Sequence, residues 1–502
     1  MAAFLHTLIA SGRRPDHPAA WPRAVVDNSA WQAAIDELTA GRWSMLGLWG
    51  ERDAVHLALL DETGSIGILS LACPGGTFPS VGRHHAPAIR LERAIRDLFG
   101  LEPVGLHDTR HWLDHGRWPV SAPLSNMPRE AVPASHRFLT AEGENLHQVL
   151  VGPVHAGIIE PGHFRFTVSG ETVVRLEQRF GYTHKGIEGL MQGADIDKGV
   201  KLAGRTSGDS TVAYALAFSR ATESALGAEV PARAVWVRAL MAELERLANH
   251  FGDIGAICND ASFGLMHAHT GMLRELVLRT ADTAFVHRLM RDCIVPGGVT
   301  TDLTPEGLAA IEQLLAEARR RFPPLVSLYE NTASLQDRTV SSGIVSPDLA
   351  QKFMAGGYVG RASGRTFDAR KALISAPYSE LEFEVPVFEA GDVDARIWVR
   401  IREVEQSLGL VEQLLARLPD GPVHAELPAM SGICEGAALV EGFRGDILVW
   451  LRLTDGRIER CHLRDPSWFQ WPLLEAAVEN NIIADFPLCN KSFNCAYSGH
   501  DL

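Results

Sequence analysis

The sequence predicts an α+β N-terminal domain followed by a larger, mainly α-helical domain that carries small β-hairpins. Three observations predict this arrangement. The chain of 502 residues is longer than one ordinary hydrophobic core supports, so two or more domains are expected. Short apolar runs separated by turn residues dominate residues 1–118. Apolar residues at helical spacing dominate the remainder of the chain.

The N-terminal domain, residues 1–118, contains both helices and strands. We expect Ser29 to cap a helix that Gly41 ends. Strands follow, and Gly50-Glu51-Arg52-Asp53 between the first two is typical of a hairpin turn. A further helix ends at Gly100. The predicted strands lie at residues 43–49, 54–60 and 66–72, and the second helix lies at residues 88–99.

A proline-rich segment separates this domain from the rest of the chain. Pro119, Pro123, Pro128 and Pro133 fall in a stretch without periodicity, which predicts a linker at residues 119–140. In the second domain, residues 141–502, apolar side chains follow one face of a helix at residues 237–251. Further helices are predicted at residues 211–226, 266–290, 305–322 and 395–418, and hairpins at 164–168 with 172–176 and at 447–453 with 458–463.

Composition and charge disfavour several classes of protein. The net charge of −14 argues against nucleic-acid binding, which needs a dense cationic surface. No apolar run approaches the roughly 20 residues that cross a bilayer, and the N-terminus is a poor signal peptide, so we expect a cytoplasmic protein without its own membrane span. The seven cysteines form no C-x-x-C pair, which disfavours a disulfide framework, a zinc site and a self-contained iron–sulfur cluster.

Three stretches of the sequence resemble known proteins. Phe78-Pro79-Ser80-Val81, LERAIRDLFG at residues 91–100, and His107-Asp108 with Arg110 resemble the small hydrophilic subunit of complex I. Two later stretches resemble both the complex I quinone-pocket subunit and the large subunit of energy-converting NiFe hydrogenases. They contain the segments Gly152-Pro153-Val154-His155, Glu160-Pro161-Gly162-His163-Phe164, His184-Lys185-Gly186-Ile187-Glu188 and Arg361-Ala362-Ser363-Gly364.

The likeness covers nearly the whole chain and preserves the order of the motifs. The fusion of both parts in one polypeptide favours membership of the formate hydrogenlyase and hydrogenase-4 branch of this family. The resemblance therefore implies a NiFe-hydrogenase-large-subunit-like fold for residues 141–502.

The same resemblance implies a metal site whose ligands this chain lacks. NiFe hydrogenases hold nickel and iron with thiolates from two C-x-x-C pairs, because soft thiolates suit these metals. The corresponding positions are Ser207 and Ser210 in the first pair, and Ala496 and Gly499 in the second. We therefore expect no metal and no cofactor bound by this chain itself.

In the complex I relative the same place is a quinone headgroup pocket, with a characteristic histidine and tyrosine. His155 matches that histidine, whereas the tyrosine position is Gly208. The resemblance therefore supports a quinone ligand at one of the two characteristic positions, the histidine, and not at the tyrosine. Glu160 corresponds to the glutamate that passes protons near nickel in hydrogenases, and His155 and His163 would extend it into a relay. The structural alternative is a carboxylate that only hydrogen-bonds its own loop.

Other polar residues are candidates by the same resemblance. His184 and Glu188 share a helical face, either to line the cavity and transfer protons or to form an ion pair to the hairpin. Arg205 matches an arginine that reaches toward the ligand, or it pairs with an acid such as Asp209. Asp209 and His500 would point at the emptied cavity, either to bind a polar ligand or to fill the space left by the metals.

The resemblance implies the large subunit of a membrane-associated complex I-like oxidoreductase that couples electron transfer to ion translocation. Its partners would be a small iron–sulfur subunit, which carries the cluster, and antiporter-like membrane subunits on the inner face of the cell membrane. The alternative is a non-catalytic scaffold that joins a soluble module to those membrane subunits. A free-standing enzyme is disfavoured, because no cofactor motif is visible.

Overall fold

The N-terminal domain is built on a four-stranded sheet. The computed structural model describes residues 4–126, 128–130 and 136–502. The sheet has the order β1-β4-β3-β2, with β1 parallel to β4 and the other neighbours antiparallel. The elements in chain order are α1 (Leu5–Ser11), β1 (Arg23–Val26), α2 (Asn28–Thr39), β2 (Ser44–Gly50), β3 (Ala54–Leu60), β4 (Ile66–Ala72), β5 (Thr77–Pro79), α3 (Ile89–Phe99) and β6 (Glu102–Val104).

The predicted elements of this domain are present, with small corrections. Strands β3 and β4 match the prediction residue for residue, and β2 is displaced by one residue. The cap of α2 is Asp27 and not Ser29, since the Asp27 carboxylate accepts a hydrogen bond from the Ala30 N–H at 2.9 Å. Helix α3 ends at Gly100, whose φ of 70° is the left-handed conformation that glycine adopts without strain.

The predicted linker at residues 119–140 contains a short strand pair. Strand β7 (Val120–Ser121) pairs with β8 (Arg129–Glu130) in antiparallel fashion. Residue 127 and residues 131–135, which include Pro133, lie outside the described residues. The division into domains at 118 and 141 stays a prediction.

The second domain consists of helices and three small antiparallel sheets, with the strand orders β11-β10-β9, β12-β13 and β14-β15-β16. Its strands are β9 (Leu146–Val151), β10 (His163–Ser169), β11 (Thr172–Arg179), β12 (Ile294–Val295), β13 (Gly298–Val299), β14 (Ile433–Gly442), β15 (Gly445–Thr454) and β16 (Arg457–Arg464). Its helices are α4 (Ile187–Met191), α5 (Ile196–Ala203), α6 (Thr211–Leu226), α7 (Ala232–Asp260), α8 (Gly264–Phe285), α9 (Pro305–Glu330), α10 (Ala333–Thr339), α11 (Pro347–Lys352), α12 (Gly357–Arg361), α13 (Ala369–Ala372), α14 (Val393–Ala416), α15 (Ser467–Ala477), α16 (Phe486–Phe493) and α17 (Tyr497–Asp501).

Helix α9 runs beyond its predicted end at residue 322. It continues through Pro323 and Pro324 to Glu330, although proline inside a helix removes a hydrogen bond and crowds the preceding turn. Tertiary contacts stabilise the extra turns, because the buried Tyr329 donates a hydrogen bond to Asp394 and packs against Trp398. Helix propensity alone would have ended α9 too early.

The two domains meet through their sheets. Trp49 and Ile68 of the N-terminal sheet form a separate apolar cluster with Leu439, Leu448 and Trp450 of the β14-β15-β16 sheet. The Trp49 and Trp450 rings lie 5.4 Å apart between centroids. Within the part of the chain that the structure describes, no helix has the length and apolarity needed to cross a membrane.

Candidate functional site

A polar cavity of about 230 Å³ lies where the segment before α6 meets the C-terminal end of the chain. Its walls come from four places that are distant in sequence: residues 158–160 of the β9–β10 loop, residues 207–209, Arg444 at the β14–β15 turn, and residues 490, 491 and 494–498 near the C-terminal end. We call this space the polar cavity.

The structure brings the four lost ligand positions together. Ser207 and Ala496 both line the polar cavity. Ser210 is linked to the same place through Arg444, whose Nη1 donates to the Ser210 hydroxyl at 3.2 Å and whose Nε donates to the Asn494 carbonyl. A Cβ atom at Gly499 would lie 3.0 Å from the Ala496 Cβ. The two segments predicted to face each other do so.

An ion pair occupies the centre of this arrangement. Arg444 Nη1 donates to Asp209 Oδ1 at 2.7 Å, and Nη2 donates to Oδ2, which is a bidentate pair. The hydroxyls of Ser207 and Ser210 also donate to Asp209 Oδ1, at 2.8 and 3.2 Å. Burial raises the pKa of Asp209, but Arg444 and the two hydroxyls outweigh it and lower the pKa to about 2. The two serines thus hydrogen-bond a carboxylate.

The C-terminal pair of positions is also filled by other groups. A Cβ at Gly499 would overlap the Asp465 carboxylate, which accepts hydrogen bonds from the Tyr214 hydroxyl at 2.6 Å and the Ser467 N–H at 2.8 Å. Cys495 is buried beside Gln470, and burial raises the pKa of its thiol far above the usual range. Its thiolate form, which metals bind, is therefore strongly disfavoured.

The residues present do not fit a nickel–iron centre. Hydroxyl, methyl and hydrogen side chains replace the thiolates, and Asp465 occupies space that the fourth thiolate would need. Across residues 4–126, 128–130 and 136–502, no cluster of three or more His, Cys, Asp or Glu side chains is arranged to hold a metal ion.

Glu160 lines the polar cavity but does not form a relay with its histidine neighbours. Its side chain is exposed, and Oε2 accepts a hydrogen bond from the Ser498 N–H at 3.0 Å. His155 Nε2 instead contacts the Gly162 carbonyl at 2.9 Å, and His163 Nδ1 contacts the Gly152 carbonyl at 3.3 Å. Burial lowers the pKa of His163. Both histidines brace the β9–β10 loop that carries Glu160.

The remaining predicted site residues separate into different places. Asp209 lines the polar cavity, as predicted. His500 does not: it is fully buried, stacks on Trp468 at 4.2 Å and contacts the Asp501 carboxylate at 3.0 Å. Arg205 forms an exposed bidentate pair with Asp292, so it pairs with an acid, as the structural alternative predicted, but the acid is Asp292 and not Asp209.

His184 and Glu188 lie at a second, apolar cavity between the domains. His184 Nδ1 contacts the Asp501 carbonyl at 2.8 Å. Glu188 forms ion pairs with Arg460 and His462 of β16, both at 2.8 Å. The Glu188 carboxylate thus forms the ion pairs that the structural alternative predicted, and it ties helix α4 to the late hairpin.

Sequence reasoning missed Arg444, Asp465 and Lys491 as site residues. Lys491 lines the polar cavity, and among the described residues its ammonium has no hydrogen bond or ion pair. The sequence of Glu441-Gly442-Phe443-Arg444-Gly445-Asp446 indicates only a turn. The sequence offered one signal for Arg444, which is that a charged residue directly precedes Gly445 in this tight turn.

Comparisons with known proteins bear on this site. A family model described as "Respiratory-chain NADH dehydrogenase, 49 Kd subunit" matches residues 263–432. The chain is 31% identical to formate hydrogenlyase subunit 5 of Escherichia coli (strain K12), over 84% of this chain and 77% of that protein. It is also 31% identical to the carbon monoxide-induced hydrogenase of Rhodospirillum rubrum, over 69% of this chain and 97% of that protein. The identity to NADH-quinone oxidoreductase subunit 4 of Thermus thermophilus is 31% as well, over 61% of this chain and 75% of that protein.

The chain belongs to the family of complex I 49 kDa subunits and hydrogenase large subunits. The family predicted from the motifs is confirmed. A solved chain from the membrane-bound sulfane sulfur reductase, an archaeal respiratory membrane complex, has the same fold, with a TM-score of 0.67 and 24% identity. That match covers 72% of this chain and 100% of the other. The predicted fold class is confirmed as well.

Proposed function

We propose that this family member is the large subunit of a membrane-associated oxidoreductase complex, and that its polar cavity binds the electron acceptor in place of a metal centre. The observation that carries the proposal is the cavity itself. About 230 Å³ of polar space remains at the position of the lost ligands, next to Glu160, Asp209 and Lys491.

The charges of the cavity suit an acceptor that carries negative charge transiently, between the arrival of the electrons and its protonation. The ammonium of Lys491 would stabilise that charge, whereas the guanidinium of Arg444 is already neutralised by Asp209. The exposed carboxylate of Glu160 is positioned to exchange protons with solvent. A two-electron acceptor would take two electrons from a cluster outside this chain and two protons from solvent, passed one at a time by Glu160. A quinone is one candidate of this kind, although Gly208 supplies no tyrosine hydroxyl.

The relatives support the proposed setting. Their names include formate hydrogenlyase, NADH-quinone oxidoreductase and an archaeal respiratory membrane complex. By analogy, this chain would dock on a small iron–sulfur subunit and on antiporter-like membrane subunits at the inner face of the cell membrane. Val154 and Ile158 are exposed on the loop beside the polar cavity, and exposed apolar side chains of this kind suit a protein interface.

The test uses the complex purified from membranes. Glu160→Gln and Lys491→Met are expected to lower electron-transfer turnover at least tenfold without changing subunit composition. Glu171→Gln and Lys198→Met are matched controls, because both side chains are exposed and neither lines the polar cavity. Full turnover in both cavity variants would reject the proposal.

A scaffold is the second candidate function. It is favoured by the Arg444–Asp209 pair and by Asp465, which fill part of the former metal site. Under this alternative the cavity variants retain full turnover. Substitutions that perturb the exposed loop, such as Ile158→Asp, would instead release the partner subunits.

A further inference from the structure

A second cavity, of about 160 Å³, lies between the two domains. Leu91, Ile95 and Phe99 of helix α3 form one wall, and Ile187 and Leu502 of the second domain form part of the other. One end approaches the surface, where Leu98, Leu124 and Gly189 are half-buried. We call this space the interdomain cavity; it does not share residues with the polar cavity.

The size and walls of the interdomain cavity limit what it can hold. A cavity of about 150 Å³ with apolar walls accommodates a single benzene-sized ring and disfavours water, which needs two or more polar partners. The charged residues at its edge are already paired, since Glu188 binds both Arg460 and His462. A charged ligand would therefore lose its hydration without gaining a partner.

Among the polar side chains of the wall, Trp49 Nε1, Trp468 Nε1 and His462 Nε2 are buried without a hydrogen-bond partner among the described residues. The half-buried His184 also has a ring nitrogen without a partner. His184 Nδ1 lies 2.8 Å from the Asp501 carbonyl, which accepts only, so Nδ1 carries the proton in the neutral ring. Nε2 is then an acceptor, and it has no hydrogen-bond partner among the described residues. Stacking on Trp118, with centroids 4.9 Å apart, holds the His184 ring in place.

We propose that the interdomain cavity binds a small, uncharged aromatic molecule with one hydrogen-bond donor, of the phenol or indole class. The ring would pack against the apolar wall of helix α3, and its O–H or N–H would donate to His184 Nε2. Such a ligand would bridge the two domains, because its contacts come from both. This site is independent of the function proposed for the polar cavity.

Ligand-observed ¹⁹F NMR on the full chain tests the site, with 4-fluorophenol as the probe and fluorobenzene as the analogue without a donor. We expect 4-fluorophenol to bind more tightly than fluorobenzene, and His184→Phe to weaken the phenol by about three- to tenfold, the usual effect of one lost hydrogen bond. Fluorobenzene should bind wild type and His184→Phe equally.

Two variants that fill the cavity complete the experiment. Ala94→Leu adds a larger side chain to the wall formed by helix α3. Gly189→Leu narrows the outer end, and folding should survive because a Cβ there meets only Leu124, at 3.4 Å. Both variants should abolish binding of both probes. The proposal is overturned if wild type binds neither probe, if Gly189→Leu binds both normally, or if His184→Phe leaves the preference for the phenol unchanged.

Discussion

The carboxylate of Asp465 lies where any side chain at Gly499 would have to be. A Cβ at Gly499 would come within 2.8 Å of Asp465 Cγ and would overlap Oδ2. Asp465 cannot turn away without losing the hydrogen bonds from Tyr214 and Ser467. The position that the resemblance assigns to the fourth thiolate therefore adjoins a hydrogen-bonded carboxylate, which a side chain at Gly499 would have to displace.

Gly499→Ala should consequently destabilise the protein. Overpacking a buried site costs about 1–3 kcal/mol, because neighbouring atoms are forced from their positions. Thermal unfolding followed by circular dichroism measures this loss. Gly208→Ala is the control, because a Cβ at Gly208 meets no atom within 4 Å.

Restoring the thiolates should likewise fail to restore the metal site. We expect Ser207→Cys, Ser210→Cys, Ala496→Cys and Gly499→Cys together to bind no stoichiometric nickel, since Asp465 and the Arg444–Asp209 pair remain in place. Metal analysis of the purified variant checks this. Nickel at one atom per chain would contradict this prediction, because it would show that the Arg444–Asp209 pair and Asp465 rearrange to admit a metal.

Arg444→Met should destabilise the protein by leaving Asp209 without its cation. Breaking a buried ion pair costs about 3–5 kcal/mol, and the partial exposure of Asp209 places the expected loss near 2–3 kcal/mol. Asp209→Asn in the same chain should recover part of the loss. A double-mutant cycle from denaturant unfolding measures the coupling, and additive effects of the two substitutions would contradict a direct pair.

Much of the fold could be predicted from local patterns, but the partners of the strands could not. The spacing of apolar residues placed β3, β4 and α14 within two residues. Strands β9 and β14 were missed, because each depends on pairing with a neighbour that local sequence does not reveal. Proline rules ended α9 too early, since the burial of Tyr329 outweighs the local cost.

The site divides in the same way. Ser207, Ala496 and Glu160 could be placed at one cavity by motif order, since the fold keeps that order. The positions of Arg444 and Asp465 depend on how the β14–β15 turn and the segment after β16 approach the C-terminal end, which no local pattern encodes. For His500 the motif order predicted a side chain that points into the polar cavity. Its ring instead stacks on Trp468 and does not line that cavity.

Glu92 should make stability depend on pH. Burial raises the pKa of Glu92 to about 7, against the opposing hydrogen bonds from the Ser80 hydroxyl and the Val81 N–H. Because the folded pKa lies above the ordinary value of 4.5, the folded state holds a proton that the unfolded chain releases. The free energy of unfolding should therefore fall as the pH rises from about 4.5 to 7 and then level off.

Glu92→Gln is expected to remove this dependence. The neutral amide can accept from the Val81 N–H and donate to the Ser80 hydroxyl, so the variant should gain up to about 3 kcal/mol over wild type at pH 8 and little at pH 4.5. Urea unfolding at both pH values measures the difference. The exposed Glu62→Gln serves as control, and an equal effect of Glu92→Gln at both pH values would exclude a buried, protonated Glu92.

Trp49→Ala should weaken the contact between the two domains. Trp49 is buried, lies 5.4 Å from Trp450 and stacks on His462 at 5.0 Å. Truncating a buried tryptophan lowers the free energy of unfolding by about 3–5 kcal/mol. Part of this loss should come from the lost contact with Trp450, and that part should disappear when Trp450 is already replaced. In a double-mutant cycle the two tryptophans should couple by about 0.5–1.5 kcal/mol, the usual value for an aromatic pair. Trp31, which packs in the other core cluster, should show no coupling to Trp450. If Trp49 and Trp450 are additive as well, the contact between these two rings does not stabilise the junction of the N-terminal sheet with the β14-β15-β16 sheet.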